Sequence, residues 1–189
     1  VDRSVKEDAL VLKFSQSLSE TAAGTPCLPQ PIPVSLAFFD EIGKQLSFSS
    51  DGGQETDAHG YLLTETDASI RIKSRNGDIT NSVPSLLRGF SAPVRLTNDL
   101  SRDELCHLII HDTDLFNRYE AGQRLFHYNI SSRLSGACDS AGERELAEAL
   151  ARVLDDANLR DNFKALALSV PGQADIEQQS RPAAVSYTH

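Results

Sequence analysis

Val94-Arg95-Leu96-Thr97-Asn98-Asp99-Leu100-Ser101-Arg102-Asp103-Glu104-Leu105 is where the chain changes from strand periodicity to helix periodicity. Val94-Arg95-Leu96 reads as the last of a series of short strands. Ser101-Arg102-Asp103-Glu104 is a capping box: the Ser oxygen accepts a free backbone N–H at a helix start, and the Glu reaches back to the cap's own N–H. Leu105, Leu108 and Ile109 then give the new helix one apolar face. The chain therefore divides into a β part before this stretch and an α part after it.

Upstream, from Ala9 to about Thr97, short apolar runs alternate with period two and are separated by turn residues. Leu10, Leu12 and Phe14 alternate with Val11, Lys13 and Ser15. After a Pro-rich entry at Pro26, Pro29, Pro31 and Pro33, Val34, Leu36 and Phe38 share one face. Asp40-Glu41-Ile42-Gly43-Lys44 makes a hairpin loop into Leu46 and Phe48, and Ser50-Asp51-Gly52-Gly53 closes that strand. Two more strands, Tyr61 to Thr66 and Ser69 to Lys73, precede the Asn76-Gly77 turn. Six or seven strands in about ninety residues imply a small immunoglobulin-like antiparallel sandwich.

Downstream, Asp112 or Asp114 caps a second helix carrying Leu115, Phe116, Tyr119, Phe126 and Ile130, which ends before Gly136. Ser140-Ala141-Gly142-Glu143 repeats the capping pattern, and Leu146, Ala149, Leu150, Val153 and Leu154 form an apolar stripe at helical spacing. A fourth helix with Leu159, Phe163 and Leu166 stops at Val170-Pro171. Arg181 to His189 reads as the opening of a further helix. Successive short helices with tight connections are the pattern of an α-helical solenoid. The expected domains are a β-sandwich over 1–98 and the first helices of a helical domain over 99–189, with the helical stack left truncated.

Composition narrows the function. The 189 residues are 40% apolar and 24% charged, as in an ordinary globular protein. A net charge of -9 and a pI near 5.0 argue against binding to a phosphate backbone, and no Lys/Arg run offsets them. No apolar run approaches the roughly 18 residues of a membrane span, and the N-terminus has no signal-peptide h-region. Neither nucleic acid nor membrane is an expected partner. Cys27, Cys106 and Cys138 are odd in number and form no C-x-x-C pair, so three free thiols and a cytoplasmic location are expected. The chain contains no methionine, which suggests a start inside a longer reading frame.

No motif carries chemistry. His107 and His111 have the i, i+4 spacing of a zinc-binding helix, but Leu108 stands where the general base would be, and the wheel places both His opposite Leu105, Leu108 and Ile109, facing solvent. Cys106 adjoins His107, yet adjacent helical residues diverge by roughly 100°, which suits neither metal binding nor a nucleophile and base pair. Gly89-Phe90-Ser91-Ala92-Pro93 lacks the G-x-S-x-G elbow. Asp112-Thr113-Asp114 and Asp155-Asp156 do not continue into a calcium loop and read as caps and solvated charge. Arg118 and Glu120 read as structural partners between helices. The sequence thus assigns no catalytic, cofactor-binding or metal-binding residue.

Two segments do carry a resemblance. Val83-Pro84-Ser85-Leu86-Leu87-Arg88-Gly89-Phe90-Ser91-Ala92-Pro93-Val94 and His111-Asp112-Thr113-Asp114-Leu115-Phe116-Asn117-Arg118-Tyr119-Glu120-Ala121-Gly122-Gln123 resemble, in order and spacing, the junction of the third and fourth domains in the bacterial alanyl aminopeptidase (aminopeptidase N) family of thermolysin-like zinc exopeptidases. Pro31 to Asp40 with Gly43-Lys44 is similar to that family's small β domain, and Leu166 to Pro171 to an early helix end of its helical domain. The resemblance implies a parent enzyme that removes N-terminal residues, Ala preferred, from peptides with a zinc-bound water and a Glu base. Its H-E-x-x-H is absent from this sequence. The implied role here is structural: the sandwich braces the parent's catalytic domain, and the helices restrict entry to the cleft. The alternative is a standalone sandwich module that binds a ligand or partner through its loops, such as the polar stretch Ser50 to Gly60.

Overall fold

A computed structural model describes residues 1–17, 28–51, 55–56, 60–137 and 139–180. Its strands are β1 (Asp2–Lys6), β2 (Ala9–Ser15), β3 (Ile32–Phe39), β4 (Phe48–Asp51), β5 (Glu55–Thr56), β6 (Gly60–Leu63), β7 (Asp67–Ser74) and β8 (Val83–Leu86). Two antiparallel four-stranded sheets form, in the orders β1-β2-β7-β4 and β5-β6-β3-β8. Then come α1 (Arg102–His111), α2 (Leu115–Leu134), α3 (Ser140–Asp155), α4 (Asp161–Ala167) and α5 (Gln173–Ser180).

Period-two alternation builds the sandwich core. Leu10 and Leu12 stand opposite Ile72 and Ile70 across the β2–β7 pair. They face Val34, Leu36 and Phe38 of β3 and Tyr61 and Leu63 of β6 in the other sheet. On β3 the alternation breaks down, because Leu36, Ala37, Phe38 and Phe39 are all buried. Leu36 and Phe38 point into the sandwich. Ala37 and Phe39, with Val83 of β8, join a second core with Leu105, Leu108 and Ile109 of α1, Leu125 of α2, Val153 of α3 and Phe163 of α4. A strand covered on both faces needs a continuous apolar run, and this one is covered by sheet on one side and helices on the other. Burial of Phe39 and Ile109, both essentially inaccessible, stabilises the junction by about 1.5–3 kcal/mol each.

The helix signals are realised with one displacement. Ser101 Oγ accepts from Glu104 N at 3.2 Å and Glu104 Oε2 from Ser101 N at 2.7 Å, completing the capping box. Asp114 caps α2, and Gly136, at φ +80°, follows its end. At α3 the cap is Asp139 rather than Ser140: its Oδ1 accepts from Gly142 N at 3.0 Å while it also pairs with Arg102 at 3.0 Å. Asp caps as well as Ser does, and the Arg102 contact adds to the stability of Asp139 in that position.

Three expectations about local structure are corrected. Val94-Arg95-Leu96 is not a strand. A 3-10 turn at Arg88–Phe90 lifts the chain off the sheet, and Val94 N donates to Ala92 O at 2.9 Å, a tight bend with no ladder partner. The Asp40–Lys44 loop does form a turn, with Leu46 N donating to Phe38 O at 2.8 Å. Phe48, however, crosses to the other sheet and pairs with Ser74 of β7, so the turn links two sheets rather than two hairpin strands. Leu159 packs against the helical core from the loop before α4 rather than from the helix. The edge strand β1 and the strand β8, neither expected from the alternation, complete the sheets; β8 contains Pro84, which has no N–H to give.

Candidate functional site: the sandwich–helix junction

The two segments of the resemblance meet in space. Leu87, Gly89 and Phe90 all lie in the left-handed region, at φ +55°, +62° and +54°. For Leu and Phe this conformation is strained, and it is held by contacts to the loop between α1 and α2. Gly89 N donates to Asp114 Oδ2 at 2.8 Å, and an Arg88 guanidinium N–H donates to Thr113 Oγ1 at 2.5 Å. The Thr113 hydroxyl donates in turn to Gln45 Oε1 at 3.1 Å. Asn117, on the first turn of α2, donates both to Ser85 Oγ at 2.7 Å and to Leu86 O at 2.9 Å, inside the core.

Asp112 ends α1 and is 1% exposed. Its Oδ1 accepts from Asp114 N at 2.8 Å and lies 3.4 Å from the Arg88 guanidinium. Burial raises its carboxyl above the usual carboxylate range, against the opposing pull of Ser85, the Asp114 amide and Arg88. Arg118 is also buried: its Nε–H donates to Ile109 O at 2.8 Å, its Nη1 lies 3.5 Å from Asp156, and its guanidinium stands over the Phe163 ring. It ties α1, α2, α4 and the α3–α4 loop, the structural role expected of it.

Beside this network a groove of about 540 Å³ runs between residues 84–98 and α2. Phe90 and Phe116 meet edge to face at 5.3 Å on its rim and are 57% and 40% exposed. Val94 and Tyr128 line it with Glu120 and Arg124, and Arg124 donates to Asn98 Oδ1 at 2.7 Å. Burial raises the Glu120 carboxyl, opposed by Arg124.

His107 and His111 are not solvent-facing, which corrects the helical-wheel expectation. Their rings lie 4.6 Å apart, both are half-buried, and the Asp40–Lys44 loop covers them. A wheel drawn on α1 alone cannot see a loop some sixty residues upstream. Cys106 is half-buried and unpaired, and burial with nearby Glu145 and Asp103 pushes its thiol up to about 11, the opposite of an activated nucleophile. Cys27 and Cys138 lie outside the described residues, as do Arg181 to His189 and most of Ser50 to Gly60.

Zinc of the thermolysin type requires three protein ligands and an acid–base Glu. Among the described residues no group of three His, Cys, Asp or Glu side chains comes together. The His107–His111 pair has Leu108 in place of the Glu, so these residues do not fit such a centre. No helix of the described residues is long and apolar enough to cross a membrane.

Asn117, Ser85, Arg88, Thr113 and Gln45 were not singled out by motif. The first four lie inside the two quoted segments, and the density of polar residues flanking an otherwise apolar run was the available signal. Gln45 had none.

Comparison with known proteins agrees with this architecture. Residues 3–99 match a family described as a domain of unknown function (DUF3458) with an Ig-like fold. Residues 102–189 match its companion, DUF3458_C, described as ARM repeats. Aminopeptidase N of Caulobacter vibrioides is 40% identical over 124 residues, covering 63% of this chain and 14% of that protein. Aminopeptidase N of Haemophilus influenzae is 30% identical over 115 residues, covering 61% and 13%. The crystal structure of Legionella pneumophila aminopeptidase A in complex with aspartic acid superposes with a TM-score of 0.68 at 24% identity, over 95% of this chain and 19% of that one. The chain thus spans about one seventh of the length of the curated relatives it matches. With the Ig-like match alone extending over half of its residues, the chain belongs to the DUF3458 family, with its Ig-like and ARM-repeat portions in succession, and it is similar to one portion of proteins named aminopeptidase N.

Proposed function

We propose that this chain is a non-catalytic structural part of a zinc-dependent alanyl aminopeptidase, in which the sandwich braces the catalytic domain and the helices help to bound its cleft. The observation that carries this reading is the shared core. Phe39 and Val83 of the sandwich pack among residues of α1 to α4, Asn117 pins the same junction with two buried hydrogen bonds, and Arg88 adds an exposed one to Thr113. Such a joint resists bending, as a brace must. The parent's zinc, its peptide substrates and its preference for Ala belong to the same proposal and rest on the resemblance to aminopeptidase N; the cytoplasmic location rests on the odd number of cysteines without a C-x-x-C pair.

The groove beside Phe90 and Phe116 favours a second reading, a binding module that acts through that surface, because paired exposed aromatics are expensive to leave in water. Association of the purified chain with a separately expressed aminopeptidase catalytic domain separates the readings, because a brace should bind it and an independent module should not; hydrolysis of an alanyl chromogenic amide tests the non-catalytic role. The purified chain is expected to give no turnover with or without zinc, and the full-length parent zinc-dependent turnover. Zinc-dependent activity that follows the chain itself through every column would overturn the non-catalytic role.

A further inference from the structure

We infer that the contact between the Asp40–Lys44 loop and α1 is an acid-sensitive joint, which holds while His107 and His111 are neutral and loosens when they are protonated. This inference is independent of the parent's activity. The loop is tightly formed: Gly43 N donates to Asp40 O at 3.0 Å, and Asp40 Oδ1 accepts from Ile42 N at 3.1 Å and Lys44 N at 2.8 Å. Gly43 takes φ +83°, and its backbone lies so close to His111 that an added Cβ would stand 2.1 Å from Nδ1. His107 donates from its ring to the Asp40 carbonyl, while its Nε2 is buried with no hydrogen-bond partner among the described residues.

Protonation would put an N–H donor on that buried nitrogen with nothing to receive it, and would place two like charges on rings 4.6 Å apart. The surrounding charges are mixed. Asp40 on the loop and Glu104 on α1 favour the charged form; Arg152 on α3 and Arg118 on α2 oppose it at His111. Burial is the largest influence on both rings and lowers both below the ordinary histidine value. The sign follows from linkage. The unfolded chain, titrating near 6.5, takes up protons before the folded one. The joint's stability is therefore complete above the unfolded value and is lost as pH falls towards the lowered folded values.

The test is an NMR titration of the 189-residue chain between about pH 8 and about pH 5, following imidazole resonances and amide protection together. Both rings are expected to titrate below the ordinary histidine range. Ile42, Gly43 and Lys44 amides are expected to lose protection with the same midpoint, while β2 and β7 amides keep theirs. The H107Q/H111Q double variant should keep the loop protected throughout. If that variant does not fold, His107→Gln alone should move the His111 midpoint upward by removing the like charge. Loop protection unchanged across the range, loss equally present in the double variant, or an unmoved His111 midpoint in the single variant would overturn the inference.

Discussion

Asn117→Ala tests whether the junction depends on its buried hydrogen bonds. The amide donates to Ser85 Oγ and to Leu86 O, and Asn117 and Ser85 are both buried. Removing it leaves two acceptors, but they are not equivalent. The Ser85 hydroxyl can turn wholly to the neighbouring Asp112 carboxylate, with which it already interacts. The Leu86 carbonyl sits in the β8 strand end and has no such option. One stranded buried acceptor costs about 1–3 kcal/mol. For a domain of 150–250 residues a loss of 1–3 kcal/mol corresponds to a fall in Tm of roughly 2–12 °C. Thermal unfolding by circular dichroism reads the change directly. The isosteric Asn117→Asp sharpens the test: it replaces the donor by an acceptor facing Leu86 O, so its cost should rise with pH once the new carboxyl ionises. A Tm for Asn117→Ala within the range of neutral surface substitutions, about 0.5 kcal/mol or less, would refute the reasoning and make the junction a matter of apolar packing alone.

Two further outcomes follow from the geometry. Gly43→Ala combines a left-handed backbone position, worth about 1–2 kcal/mol, with a collision against His111 worth a further 1–3 kcal/mol or so; adding His111→Ala should recover only the second part, as a double-mutant cycle by urea unfolding would show. Cys106, with its thiol pushed up to about 11, should react with iodoacetamide at about pH 8 on the order of a hundredfold more slowly in the folded than in the unfolded chain, measured by peptide mass spectrometry; similar rates would contradict its assignment as an inert packed thiol.

The strands and helices that follow a single period were legible without coordinates. Leu10, Leu12 and Phe14 show the inward face of β2, and Leu105, Leu108 and Ile109 show that of α1, because each pattern is generated by one element against one core. Caps were legible for the same reason: Ser101 and Glu104 are three residues apart and satisfy each other. The alternating Val34, Leu36 and Phe38 announced a strand, though not that Ala37 and Phe39 on its other face would be buried against helices.

The sequence by itself determined the kind of protein: a sandwich followed by helices, a residue content without a zinc-peptidase motif, and two segments that place it among aminopeptidase relatives. Tertiary structure decided what joins the halves. Whether Phe48 stays in its hairpin or changes sheet, whether Asp139 or Ser140 caps α3, and whether His107 faces water depend on Ser74, Arg102 and the Asp40–Lys44 loop, all tens of residues away in the chain. Each is fixed by a contact between distant parts of the chain, and an intramolecular hydrogen bond contributes about 1 kcal/mol of net stability to the arrangement that makes it. Local periodicity cannot encode a contact of that kind. For that reason the elements and the place of their junction were readable in the sequence, and the contacts that hold the junction were not.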